Sequence, residues 1–396
     1  MISEKMIKLT KSNSVIRAMF EEGNRLAEIH GRENVYDFSL GNPNIPSPDA
    51  VNNAIVDIVK NEEPMALHGY MTNAGYPAVR AAVAKSLNTR FDTSFDEKNI
   101  IMSVGAAGGL NVVLKTLLNP GDEVIVISPF FVEYGNYVSN FDGKLVIVPA
   151  NSEDFQPDAN AVRDAITPRT KAIILNSPNN PTGVVYTEES IKALSKVLKE
   201  KSKENGEPIY IVSDEPYREL AYDGVSVPFI TKYYKNTIVC YSWSKSLSLP
   251  GQRIGYIVIP GEIDEYELIF DAASIATRIL GYVNAPALIQ RVVAKCLYEQ
   301  TSISIYNTNR ELLYNGLKDL GFDPVYPQGA FYLWVKTPCD DKEFVEKAKK
   351  YNILIVPGTA FFCPGYARIA YCVATETIER SLPAFKKLAK KLDLND

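Results

Sequence analysis

The chain has 396 residues, a net charge of −5, 46% hydrophobic and 22% charged side chains. That balance is that of a globular protein rather than a disordered one, and the length suits one large core plus a smaller one. An acidic chain lacks the clustered Lys and Arg excess that phosphate backbones select, so nucleic acid is not an expected partner.

In chain order, Met1–Lys5 carries no apolar signal core, and no apolar run reaches membrane-spanning length. Neither a membrane nor a secretory route is expected, and the location read from this is cytoplasmic. Val15, Ile16, Met19, Phe20, Leu26 and Ile29 have amphipathic spacing, which predicts a helix over 13–29, with Ser12 or Asn13 as cap and Gly31 as stop. The run Asp37 to Pro48, with Gly41 and three prolines, predicts an extended linker and a first domain boundary. The two histidines fall early: His30 at a polar helix end and His68 beside Gly69. That leaves little material for a His-rich metal site or a Ser-His-Asp triad, so no metal is expected.

Tyr70 to Gly75 reads as a loop before a helix over 77–89. The strand Ile100–Val104 then runs into Gly105-Ala106-Ala107-Gly108-Gly109, opening a helix to about Leu118. Small residues there either let backbone N–H groups approach an anion or simply permit tight strand–helix packing. Strand-like and helix-like segments alternate from this point: strands 123–127, 144–148, 171–175, 209–213 and 237–241, with helices over 131–139, 158–166 and 187–202 between them. Uniformly apolar strands with helical crossovers predict an α/β fold with a largely parallel sheet buried on both faces, whose ligands sit beyond the strands' carboxyl ends.

Three such ends carry unusual residues. Asn176 to Gly183 holds Asn180-Pro181-Thr182-Gly183, a fixed loop presenting amides. Asp214-Glu215-Pro216-Tyr217 puts a carboxylate directly after a buried run, either capping a turn or paired with a cation. Ser242-Trp243-Ser244-Lys245, with Arg253 eight positions past Lys245, offers a hydroxyl and a guanidinium for a phosphate and an amine nucleophile. Its alternative is a solvated lysine in a serine-rich turn. Strand 253–259 and helices over 262–276 and 285–320 follow. From about 321 short strands at 330–335, 353–356 and 367–373, with helices over 340–350 and 376–392, predict a small α+β domain. Arg368 there is either a surface strand residue or a carboxylate clamp. Cys240, Cys296, Cys339, Cys363 and Cys372 include no C-x-x-C pair and read as free, buried and cytosolic.

Taken together, these segments resemble the class I/II aminotransferases, fold-type I pyridoxal-phosphate enzymes of the aspartate aminotransferase type. The resemblance rests on Leu40-Gly41-Asn42-Pro43, Tyr70 with Gly75, Gly105-Ala106-Ala107, Asn180-Pro181-Thr182-Gly183, Asp214-Glu215-Pro216-Tyr217, Ser242-x-Ser-Lys245 with Arg253, and Arg368. It spans nearly the whole chain. It implies a large cofactor-binding domain over 46–285 with a mostly parallel, seven-stranded type of sheet flanked by helices, and a small domain from 1–45 plus 286–396. It implies pyridoxal 5′-phosphate held covalently by Lys245, whose freed amine then moves the proton at the substrate α-carbon. Asp214 would pair with the pyridine nitrogen, and Asn180 and Tyr217 would bond its phenolate oxygen. Ser242, Arg253 and the backbone of Gly105, Ala106 and Ala107 would hold the phosphate. Phe131 would stack on the ring. Arg368 would grip the substrate carboxylate, with Gly41 and Asn180 assisting. Tyr70, with Asn284 as a further candidate, would reach the neighbouring subunit's site, which implies a homodimer.

The expected activity is amino transfer between an L-amino acid of aspartate/glutamate or aromatic type and a 2-oxo acid. A same-fold alternative is a carbon–sulfur lyase acting on cystathionine or cysteine. A cofactor-sensing transcription regulator would need a DNA-binding domain where a single helix precedes Gly41. The chain departs from many relatives in having Ala106 and Ala107 where a hydroxyl or lysine is common, and Val283 before Asn284. The arginine that clamps a distal carboxylate in some relatives falls by spacing on Ile279, with Arg278 beside it, and Arg17 is a second candidate.

Overall fold

The computed structural model describes residues 2–11 and 15–394, without the side chains of residues 11, 15–17 and 20. It divides into two compact units: Ile45–Asn179 with Val184–Ser302, and Met1–Asn44 with Asn180–Gly183 and Ile303–Asp396.

The larger unit is built on a seven-stranded sheet in the order Ile100–Ser103, Gly255–Val258, Thr237–Ser242, Tyr210–Asp214, Thr170–Asn176, Glu123–Ser128 and Lys144–Pro149. All neighbours pair in parallel except Gly255–Val258, which runs antiparallel to both strands beside it. Its central strands are buried at nearly every position, because helices cover both faces. Lys144–Pro149, at one edge, is exposed at Lys144, Ile147 and Pro149. The helix Glu188–Asn205 shows the local logic. The Thr187 side chain accepts from Ser190 N–H at its start, Ile191, Leu194 and Leu198 face the sheet, and Gly206 ends it at φ +73°.

The register sets the height of each strand end. Asn176 lies opposite Asp214, and Asp214 opposite Cys240, so Ser242 projects two residues beyond Asp214's level. Gly255 pairs with both Ser103 and Ser242. A side chain there would overlap the Tyr241 carbonyl and stand 3.1 Å from Gly105 Cα, so only glycine lets the Gly105 turn close on the sheet.

The smaller unit has a four-stranded antiparallel sheet in the order Val356–Pro357, Tyr366–Ala370, Tyr332–Lys336, Asp323–Val325, and a parallel pair formed by Tyr36–Asp37 with Ile353–Leu354. Helices Ser304–Asp319, Asp341–Lys349 and Thr375–Lys391 belong to it.

Several expectations shift. The boundary expected at 285 moves to 302, because Ile289, Val292 and Val293 of the helix Ala287–Lys295 enter the larger unit's core. The helix expected over 285–320 is two, Ala287–Lys295 and Ser304–Asp319. Helices Glu4–Lys11, Asp49–Asn61 and Pro64–His68 were not foreseen. Cys339 and Cys363 are half-buried rather than buried, although all five cysteines are free. The caps Ser12 and Asn13 lie outside the described residues. Among those described, no helix is long and apolar enough to cross a membrane.

Gly255→Ala should cost about 3 kcal/mol, the scale of a backbone-level clash in a packed core, read as a lower urea midpoint at unchanged slope. A midpoint within error of the parent would contradict the packing described.

Candidate active site

After Ser242 the chain turns through the single helical turn Trp243–Ser246, which carries Lys245. Backbone bonds from Leu247 N–H to the Trp243 carbonyl and from Trp243 N–H to the Ile254 carbonyl, both 3.3 Å, fix this turn against the returning strand. Ser242 is buried and Lys245 half-buried. Arg253 adopts the left-handed conformation at φ +50° and donates from Nη1 to the Pro250 carbonyl at 2.9 Å. Its Nη2 reaches the Val104 carbonyl at 3.4 Å, beside Gly105, where an added Cβ would lie 2.8 Å from that nitrogen. The guanidinium therefore sits at the N-terminus of helix Gly105–Leu117. First-turn N–H groups, the helix dipole and a fixed cation together make a seat for a phosphate dianion.

Asp214, the last residue of its strand, is buried. Tyr134 Oη donates to its Oδ2 at 2.6 Å, and Asn176 Nδ2 donates to its backbone carbonyl at 2.9 Å. Oδ1 is buried and has no hydrogen-bond partner among the described residues. Burial pushes this carboxyl up to about 7, opposed by the Tyr134 hydrogen bond and helped by the Glu215 charge. Burial and the adjacent Asp214 push Tyr134 well up, so its hydroxyl stays a donor. A buried carboxyl with one open oxygen at a strand end suits a ligand that brings an N–H cation to it.

The turn after Asp214 is locked. Ser213 Oγ donates to Glu215 Oε1 at 2.7 Å, and Arg218 Nε to Glu215 Oε2 at 2.5 Å. Arg218 also donates to the carbonyls of Val227 and Pro228 and lies over the rings of Phe91 and Phe229. Tyr217 is buried within this turn. Phe131 is half-buried, edge-on to Tyr134 with ring centres 5.6 Å apart.

In the smaller unit Arg368 is buried on its strand, its guanidinium 4.6 Å from the Tyr332 ring centre and 4.8 Å from that of Phe361. It donates from Nη1 to Asn180 Oδ1 at 3.0 Å and from Nη2 to the Ser39 carbonyl at 2.6 Å. The reading of Arg368 as a surface residue therefore falls. Gly41 lies against Tyr332, whose hydroxyl would overlap any Cβ at that position. Aromatic faces on the guanidinium and acceptors at its edges fix the plane of this cation.

Sequence reasoning missed Tyr134, Asn176, Tyr332 and Phe361. The one signal for Tyr134 was its place three residues after Phe131 in a helical register. Tyr70 is 93% exposed, and Asn73 Nδ2 donates to the Val283 carbonyl at 2.6 Å, tying its loop to the loop of Asn284. Arg278 and Ile279 are exposed at the end of helix Tyr266–Ile279. The Arg17 side chain lies outside the described residues. His30 and His68 are exposed. No cluster of His, Cys, Asp and Glu among the described residues could hold a metal ion.

The family model described as aminotransferase class I and II matches residues 33–385. The chain belongs to this family. This aminotransferase is 32% identical over 356 residues to the aspartate/prephenate aminotransferase of Thermus thermophilus, covering 88% of this chain and 90% of that one. It is 29% identical over 354 residues to the aspartate aminotransferase of Thermotoga maritima, covering 88% and 90%. Among solved structures, an amino transferase from Eubacterium rectale superposes with a TM-score of 0.97 at 48% identity, over 100% of this chain and 99% of that one. The Thermus thermophilus aspartate aminotransferase with maleate gives 0.85 at 28%, over 98% and 100%. The expected aspartate aminotransferase fold is the one found.

Asp214 supplies a pH test on the ligand-free protein. Its carboxyl is raised from 3.8 to about 7 on folding, so the folded state binds more protons across that window. Its contribution to stability is full below 3.8 and is lost as pH rises through about 7. Asp214→Asn should flatten that part of the stability–pH profile measured by thermal melts. An unchanged slope would mean that Asp214 ionises normally.

Proposed function

We propose that this aminotransferase uses pyridoxal 5′-phosphate to move the amino group of an L-amino acid of the aspartate/glutamate or aromatic type to a 2-oxo acid, in a ping-pong cycle. The observation that carries the cofactor assignment is the open, buried Oδ1 of Asp214, standing at the strand end beside the one that leads to Lys245. The Gly105–Arg253 cradle fits the phosphate, which would be held by Ser242, Arg253 and the N–H groups of Gly105, Ala106 and Ala107. Asn180 and Tyr217 would hold the ring oxygen, and Phe131 would lie on the ring face.

When bound, the cofactor supplies an aldehyde for the amino group and a ring that accepts electrons from the substrate α-carbon. Asp214 as a carboxylate keeps a proton on the ring nitrogen. The Lys245 amine would take and hold the proton at the substrate α-carbon. Arg368, with the Gly41 backbone and Asn180 assisting, takes the α-carboxylate in a bidentate grip. The substrate class is supported by the relatives, which are named aspartate, prephenate and aromatic-amino-acid aminotransferases. These names favour amino transfer over the carbon–sulfur lyase reading. A homodimer is supported by the exposed Tyr70 loop, tied to Val283 and Asn284, as the part that reaches a neighbouring site. Arg278 or Arg17 would serve as the distal-carboxylate clamp.

With an amino donor and no acceptor, the enzyme should release one equivalent of 2-oxo acid per site and stop. Continued release of pyruvate and ammonia from cysteine or cystathionine would identify the lyase instead. Lys245→Ala should abolish turnover while the protein still melts cooperatively. Arg368→Lys should cost about 100-fold in kcat/KM for every amino acid, since a lysine loses the fork and the aromatic packing. Arg278→Ala and Arg17→Ala separate the clamp candidates: one should lose activity on dicarboxylates and keep it on phenylalanine, and equal losses on both substrate types would eliminate the clamp.

A further inference from the structure

The larger unit holds a cavity of about 250 Å³ that none of the residues assigned above lines. Its walls include Arg90, Glu219, Tyr241, Trp243, Tyr256 and Glu299. Glu219 has both oxygens engaged: Arg90 Nη2 reaches Oε1 at 2.6 Å, and Tyr241 Oη donates to Oε2 at 2.9 Å. Tyr241 Oη also lies 2.8 Å from Ser246 Oγ. Three rings form a fixed aromatic corner, with Tyr241 and Tyr256 stacked at 4.7 Å and Trp243 edge-on to both at 5.5 and 5.2 Å.

The charges around this space are unequal. Arg90 and Glu219 neutralise each other, and Glu299, exposed at the mouth, makes no ion pair among the described residues, so the mouth carries one solvent-facing carboxylate. Arg90 donates to Glu219 alone among the described residues, which leaves its Nε and Nη1 for a ligand. A simple anion would meet a mouth of net negative charge. A simple cation would be drawn to Glu299 and the aromatic faces but would leave the arginine fork without an acceptor. A small molecule carrying a carboxylate and an ammonium at short separation answers both.

We propose that this cavity is a second ligand site for a compact zwitterion of the amino-acid or betaine class. Its carboxylate sits on Arg90, and its ammonium lies against the aromatic corner on the Glu299 side. The cavity has among its lining residues none of those proposed above to bind the substrate. It shares with the reaction only the turn Trp243–Ser246, whose Trp243 and Ser246 line the cavity while Lys245 stands between them. An occupant therefore braces, from behind, the turn that carries the lysine.

The test is calorimetric titration of the holoenzyme with trimethylglycine, whose quaternary nitrogen cannot condense with an aldehyde. One saturable site is expected in the parent and, with similar affinity, in Arg368→Met, where the substrate clamp is gone. Arg90→Met should weaken binding by about tenfold, the loss of a charge-assisted bond. Leu297→Trp fills the same cavity without disturbing the Arg90–Glu219 pair, and should weaken binding at least as much in a protein that melts like the parent. Acetate and tetramethylammonium should each bind about tenfold more weakly than trimethylglycine. The proposal is overturned by the absence of saturable binding up to about 100 mM, a concentration at which even weak sites fill. It is overturned equally by binding that survives both Arg90→Met and Leu297→Trp, by loss in Arg368→Met, or by tetramethylammonium binding as well as the zwitterion.

Discussion

The constraint on which the site depends is a carboxyl group that the fold has buried without completing its partners. Asp214 has one oxygen on Tyr134, its carbonyl on Asn176, and the other oxygen open. In a packed interior such a group is costly as an anion, and it responds by rising to about 7. In the proposed reading, a cationic ligand at the open oxygen would cancel the penalty. Under the proposed function, this strand end is where a protonated ring nitrogen would be preferred. The Glu215–Arg218 pair next to it does the opposite job. It is a fully buried ion pair whose remaining donors find carbonyls, so it leaves no open valence and acts only to hold the turn.

Arg368 is the counterpart in the smaller unit. A buried guanidinium is held by two ring faces and by the Asn180 and Ser39 oxygens, which fix its plane. Substituting Gly41 would push on Tyr332 and so on the guanidinium lying over that ring. The absence of a side chain at that glycine is thus part of how the arginine is aimed, and the packing of the smaller unit sets the geometry of one charged group.

Much of this was legible in the sequence. The apolar runs located every strand of the large sheet, because parallel strands buried on both faces leave an unbroken hydrophobic signal. The polar residues directly after those runs marked Asp214, Ser242 and Asn180. What was not legible has a common physical cause. Tyr134, Tyr332 and Phe361 are aromatic residues whose role is fixed by which ring or carboxyl they meet across the fold, and their local sequence looks like any core. The helix Asp49–Asn61 went unassigned although Val51, Ala54 and Ile58 keep helical spacing, and the domain boundary slipped because Ala287–Lys295 reads like the helix after it. For Arg368 the strand pattern alone left surface residue and clamp both open, because it does not reveal which partners flatten around an arginine.

The turn that bears Lys245 shows why the linear motif is insufficient by itself. Four residues of helix have no intrinsic stability, since nucleation costs more than one closing hydrogen bond returns. Trp243–Ser246 persists because distant parts of the chain hold it: the Ile254 carbonyl takes the Trp243 N–H, and the Ser246 carbonyl accepts from Thr301 N–H at 2.8 Å. Tyr241, which shares a short contact with the Ser246 hydroxyl, is itself fixed by Glu219 and thereby by Arg90, in a different helix. The position of the lysine amine is consequently a property of these tertiary contacts. Any change that loosens Thr301, Glu219 or Arg90 acts on the turn through tertiary contacts alone, and in the proposed reaction it would act through where Lys245 stands rather than through what it is.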